Sequence, residues 1–232
     1  MIEKREFPEP VPAASQLAVL PFLAAVDGIL KNPAGKAKTR ITMHRVMARE
    51  GIGYLQQLCT YFGSIEFSQE NSVGRIFPVN TGIMGKAFST KKVLRTRFYS
   101  SREQACLDLA ADLRDNGDKR PISQVPISYL AVPFLGPAKK VVLTLYVECD
   151  ILNIFSDDVR VCQIVDMCHA FCRLFDWLSS NLPFPTLHNF PLELEAFKFE
   201  KSTVFRRLQE EFDCQVPRFK HISYFNYDAA VG

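Results

Sequence analysis

Apolar and polar residues alternate with period two from Arg40 to Met47. Ile41, Met43, Arg45 and Met47 share one face and Thr42, His44 and Val46 the other, which predicts a strand. Gly51 to Gly53 turns the chain into Tyr54–Gly63, the predicted hairpin partner. Upstream, Leu17, Leu20, Leu23 or Ala24, and Ile29 or Leu30 recur at helical spacing, with Pro21 placed to kink the helix. Ser101 and Gln104 form a capping box for a helix over Arg102–Arg114, its inward stripe being Cys106, Leu109, Ala110 and Leu113. Ser128–Gly136 and Val141–Glu148 read as strands split by a turn at Gly136–Lys140, and Pro133 predicts an edge or bulged position.

The strongest helical pattern opens at Phe155-Ser156-Asp157-Asp158, with Ser156 as cap and two aspartates at the positive end of the dipole, and runs to about Leu178. Covering one sheet takes an apolar stripe roughly 100° wide. Here the arc reaches from Val161, Val165, Cys168 and Cys172 round to Met167, Phe171, Leu174 and Leu178. That surplus predicts a homodimer through Met167, Phe171, Leu174 and Leu178, the alternative being that the C-terminal tail folds back and covers that edge. Asn181–Pro185 marks a boundary, beyond which stand eight phenylalanines, from Phe184 to Phe225. A helix is predicted from about Ser202 to Phe212, with Phe205, Leu208 and Phe212 on one face. The resulting plan is an extended arm over residues 1–13, an α+β domain over 14–180 and a partly helical C-terminal extension over 181–232. The phenylalanines of the extension either cover the domain or meet an unknown protein partner. The partner reading expects deletion from residue 183 to leave the domain folded, and an insoluble or molten truncation would make the tail part of the core.

Composition narrows the function classes. The chain has 232 residues, 47% hydrophobic and 23% charged, an ordinary globular balance. No run is long and apolar enough to span a bilayer and no apolar signal core opens the chain, so a cytoplasmic protein without membrane contact is expected. Seven cysteines without a C-x-x-C argue against a disulfide framework. Cys162, Cys168, His169 and Cys172 fit no zinc spacing and read as core thiols beside a histidine on another face, so no metal is expected. The net charge of +3 is too small to imply nucleic acid. It is unevenly spread: Glu148–Asp213 holds 12 acids and 6 bases, the rest 13 acids and 22 bases.

Gly74–Phe88 reads G-R-I-F-P-V-N-T-G-I-M-G-K-A-F, followed by Leu130-Ala131-Val132-Pro133 and then the Phe155-Ser156-Asp157 helix start. In this order the elements resemble the GAF family of small-molecule-binding domains, over roughly residues 14–180. The resemblance implies a central antiparallel sheet with helices packed on one face, a ligand pocket on the other and a regulatory role. It also marks departures. The spaced Asn-Lys-Phe-Asp-Glu signature of cyclic-nucleotide members is absent. Cys106 precedes Leu107 rather than the histidine usual at pigment attachment, so no bilin or other cofactor is expected. Met84 stands in the glycine turn where the methionine-sulfoxide reductases of this fold carry a cysteine.

Gly82 and Gly85 open a helix whose free N–H groups favour an anion. Lys86, Lys91, Lys92, Arg95, Arg97 and Arg102 follow within seventeen residues without an acid. The candidate ligand site is therefore Gly82, Met84, Gly85, Lys86, Arg95, Arg97, Phe98, Cys106 and Tyr129, taking a nucleotide or carboxylate. The expected function is non-catalytic regulation, by sensing a small anionic ligand or by protein–protein signalling. The alternatives are an adaptor whose pocket is filled by Met84, Phe98 or Tyr129, and a small thiol-dependent enzyme using Cys106.

Overall fold

A computed structural model describes residues 13–31, 37–49, 51–63, 73–115, 126–181, 204–207, 215–220 and 225–226. The chain runs α1 (Ala13–Lys31), β1 (Thr39–Arg49), β2 (Ile52–Gln57), β3 (Ile76–Pro78), α2 (Gly82–Thr90), β4 (Leu94–Thr96), α3 (Arg102–Asp115), β5 (Ser128–Leu135) and β6 (Val141–Cys149). A 3-10 turn (Ile154–Ser156) leads into α4 (Asp158–Asn181), and two short strands complete the order, β7 (Phe205–Arg207) and β8 (Phe225–Asn226). The sheet order is β3-β2-β1-β6-β5-β4-β7. Every pair along that path is antiparallel, and β8 joins β1 in parallel.

The central strands β1 and β6 are covered on both sides, so their alternation separates two buried faces. One face carries Ile41 and Met43 of β1, Leu145 and Val147 of β6, and Leu130, Val132 and Phe134 of β5. Helices α1 and α4 cover it: Phe22 and Phe171 are 4.7 Å apart between ring centroids, and both contact the Phe134 ring. Within α1 the buried stripe is Val19, Phe22, Leu23, Val26 and Leu30, while Pro21 faces solvent, where water can serve the carbonyl its ring leaves unbonded. The other face carries Arg40, Thr42 and His44 of β1, Thr144, Tyr146 and Glu148 of β6, and Tyr129 of β5. Helix α2 lies on this side, where Lys86 reaches the ring of Phe205, itself against Tyr129.

Three expectations change in detail. The cap of α4 is Asp157, whose carboxylate accepts from the N–H groups of Val159 and Arg160, because the chain spends Ser156 in the 3-10 turn. Ser101 does cap α3 by accepting from the Gln104 N–H, but the Gln104 amide turns forward to Asp108 rather than back to complete the box. Residues 205–207 form strand β7 instead of the start of a helix, since β4 offers an otherwise open edge and Phe205–Arg207 pair with it. Pro133 sits inside β5, yet β4 pairs only as far as Ala131, so the missing N–H falls where no ladder bond is asked of it.

Parts of the extension are built into this domain. Phe219 is fully buried, stacked on Phe134 at 5.8 Å and edge-on to Phe171. The Leu135 N–H donates to the Pro217 carbonyl, and the Phe219 N–H donates to Leu135. The Asp176 carboxylate accepts from the Lys220 N–H, so this strap joins the end of β5 to α4.

Candidate functional site

The glycine turn is shaped mainly by its own backbone. At Gly85 an added Cβ would lie 2.3 Å from the Asn80 carbonyl carbon and 2.7 Å from the Val79 oxygen. Gly82 takes φ +51 with open space around it. The close approach that needs glycine at 85 is thus between two parts of this turn. Gly85→Ala is expected to destabilise the domain by about 3 kcal/mol, and Gly82→Ala by about 1 kcal/mol. Equal, small losses by thermal melting would show that the turn relaxes freely.

Three of the neighbouring cations, Lys86, Arg95 and Arg97, meet an internal carboxylate. Lys86 Nζ is 2.5 Å from Asp112, and Arg97 is 2.5 Å from Asp108, both acids standing on α3. Arg95 pairs with Asp158 and donates to the Phe155 carbonyl, tying β4 to the start of α4. Met84 and Tyr129 are buried, Cys106 is half-buried and Phe98 is 68% exposed. Tyr129 and the α2 residues Gly82, Met84, Gly85 and Lys86 therefore share one side of the sheet with α3, which carries Cys106 and holds Arg97, whereas Arg95, in register with Leu130 and paired with Asp158, lies on the α4 side, and Phe98 points to solvent. Of the predicted dimer residues, Phe171 is buried among Phe22, Phe134, Phe175 and Phe219, Met167 is half-buried, and Leu174 is 53% exposed. The Leu178 side chain lies outside the described set.

The sheet face beneath α2 holds a second polar group. Arg40 Nε lies 2.6 Å from Glu148, Arg40 Nη2 donates to the same carboxylate, and its guanidinium covers the Tyr61 ring at 4.3 Å. Tyr146 donates to Glu148 at 2.5 Å; burial first, then the Glu148 charge, push its phenol well above the ordinary range, so the hydroxyl keeps its proton. Thr42 and Gln57 both donate to the Cys59 carbonyl. His44 and Thr144 are direct cross-strand partners, both fully buried, yet neither ring nitrogen of His44 nor Oγ1 of Thr144 has a hydrogen-bond partner. Burial, helped by the positive charge of Arg75, pulls the His44 imidazole down to about 3, so it is neutral.

The readable signal for this group is the alternation inside the two central strands: Arg40, Thr42 and His44 in one, Thr144, Tyr146 and Glu148 in the other. Read alone, β1 leaves His44 isolated, because only strand pairing sets it beside Thr144.

No model of a known protein family matches the chain, and no curated protein does. Solved structures do. A type II free methionine-R-sulfoxide reductase from Thermoplasma acidophilum is 12% identical, with a TM-score of 0.42 over 67% of this chain and 90% of that one. A GAF domain is 11% identical at TM-score 0.37, over 68% and 89%. The phycoerythrobilin-bound GAF domain of a cyanobacterial phytochrome is 10% identical at TM-score 0.34, over 68% and 93%. These are likenesses of fold and carry no residue or chemistry across. The antiparallel sheet in the order β3-β2-β1-β6-β5-β4, with helices packed against it, is a GAF-like α+β fold.

Proposed function

We propose that this GAF-like domain is a non-catalytic regulatory module that acts through protein contacts, first of all with a second copy of itself. The observation that carries this reading is the outer surface of α1 and α4. An open groove of about 650 Å³ runs between them, lined by Ala25, Gly28, Ile29, Gln163, Asp166, Met167 and Ala170. Beside it Val159, Leu174 and Trp177 are each more than half exposed. Gly28 is exposed in the last turn of α1, and an added Cβ there would touch nothing within 4 Å. Glycine costs up to about 1 kcal/mol against alanine within a helix. The isolated domain gains nothing from it, whereas a helix laid across the groove gains close approach.

Three buried thiols are poorly placed to act as nucleophiles. Burial raises the thiol pKa of Cys59, Cys149 and Cys172, that of Cys149 to about 11, which keeps them protonated. The ion pairs that engage Lys86, Arg95 and Arg97 favour protein contact over anion capture at the glycine turn.

Sedimentation of the intact chain at tens of micromolar tests the reading. The wild type is expected to run as a dimer, and Gly28→Glu with Ala170→Glu as a monomer of unchanged circular dichroism. A wild-type monomer would remove this surface as the contact.

A further inference from the structure

The row of polar residues that crosses β3, β2, β1 and β6 has no place in a dimer contact on the opposite side of the sheet. His44 pairs in register with Gln57 on β2 and with Thr144 on β6. The Gln57 N–H donates to the Arg75 carbonyl, so Arg75, just before β3, continues the same row. Phe77 shares the face, since its ring lies edge-on to His44 at 5.5 Å, and Arg75 is two residues away on the same alternation. Arg75 and Phe77 are half-buried, whereas His44 and Thr144 are fully buried. The row therefore runs from a partly open end at the sheet edge to a closed end at its centre.

Chemistry differs along the row. Arg40, Lys86, Arg95 and Arg97 are each matched by a carboxylate. Among the described residues no carboxylate pairs with Arg75, although its charge reaches His44. At the closed end, a neutral imidazole offers one donor and one acceptor nitrogen, and the threonine hydroxyl offers both roles. Buried groups of this kind are almost always bonded, and none of the three atoms is bonded within the protein. A matching group must both donate and accept, which an amide or hydroxyl does. A phosphate dianion offers acceptors alone and brings a second charge for which this row has one cation.

We propose that this row is a binding site for a small monocarboxylate that carries a neutral hydrogen-bonding group, amide or hydroxyl. Arg75 takes the carboxylate in a paired, charge-assisted contact. His44 and Thr144 take the neutral group, and the rings of Phe77 and Tyr146 flank His44 edge-on at 5.5 and 6.1 Å. Two strand spacings, about 10 Å, separate the backbones of Arg75 and His44. The arginine side chain spans part of that distance, so the two ligand groups are only a few bonds apart. The site is separate from the α1–α4 surface and goes beyond the dimer reading: it would supply the regulatory module with a signal.

N-acetylglycine is the probe, with acetate, N-methylacetamide and inorganic phosphate as partial probes, measured by ligand-detected NMR and calorimetry on the intact chain. N-acetylglycine is expected to bind at least about tenfold tighter than acetate or N-methylacetamide, the difference a single charge-assisted contact can make. Arg75→Gln, at a half-buried position, should cut N-acetylglycine binding about tenfold and abolish acetate binding. Thr144→Val or His44→Phe should bring N-acetylglycine down to the level of acetate while leaving acetate unchanged. N-acetylglycine binding no better than acetate, phosphate binding best, or indifference to Arg75→Gln would each overturn the proposal. Sedimentation of the same samples keeps the two readings apart: a monomer that discriminates N-acetylglycine retains the site and loses the dimer, and a dimer that does not discriminate does the reverse.

Discussion

Phe219→Ala is expected to lower the unfolding free energy by about 3–5 kcal/mol, the usual loss when a fully buried phenylalanine is truncated. The ring has no exposed surface and stacks on Phe134, which in turn contacts Phe22 and Phe171. Removing it opens a cavity where the β5 end, α1 and α4 meet. Arg218→Ala is the internal control. Its side chain is exposed and donates to the Pro137 carbonyl, so the change should stay within about 1 kcal/mol. Urea titration of the two variants separates the cases, and a Phe219→Ala loss below that of Arg218→Ala would mean the strap rests on the core without closing it. The same contacts reverse an expectation drawn from the sequence. Deleting residues 183–232 takes away Phe219 and also β7, uncovering the β4 edge and the Tyr129 ring packed on Phe205. The truncated chain is now expected to melt earlier than the intact one, with exposed apolar surface.

How far the sequence can be read depends on the range of the interactions involved. Local chemistry marks the elements: the period-two run in β1, the Gly136–Lys140 turn, the Ser101 cap and the aspartates opening α4 all lie where expected. Residues set by distant partners do not show themselves in the same way. The segment around Phe205 has helical spacing but forms a strand, because β4, far back in the chain, has an edge to pair. Phe171 suits an outer contact by its helical position, yet Phe22 and Phe219, remote in sequence, cover it. At the candidate site, the glycine turn stands out in the string, but the acids that neutralise its cations, Asp108 and Asp112, read only as the outer face of α3. The polar row through His44 needs four strands in register before any of its members has company.

Glu148→Gln is expected to cost about 3 kcal/mol, the lower end of the loss usual when one partner of a buried ion pair is removed. The carboxylate side chain is 1% exposed and that of Arg40 is 11% exposed, so the remaining guanidinium would be left largely out of water without a counter-charge. The glutamine keeps an oxygen for the Tyr146 hydroxyl, which isolates the loss of charge from the loss of the hydrogen bond. The pair itself need not add to stability, because taking two charges from water costs about as much as their attraction returns. Arg40→Met combined with Glu148→Leu should accordingly recover most of the single-variant loss, as measured by urea unfolding. Single and double variants that lose stability additively would show that Arg40 and Glu148 act separately. With the pair closed on itself, the buried row beside it carries no net charge apart from Arg75, and that balance is why one carboxylate, rather than a more highly charged anion, suits this face of the sheet.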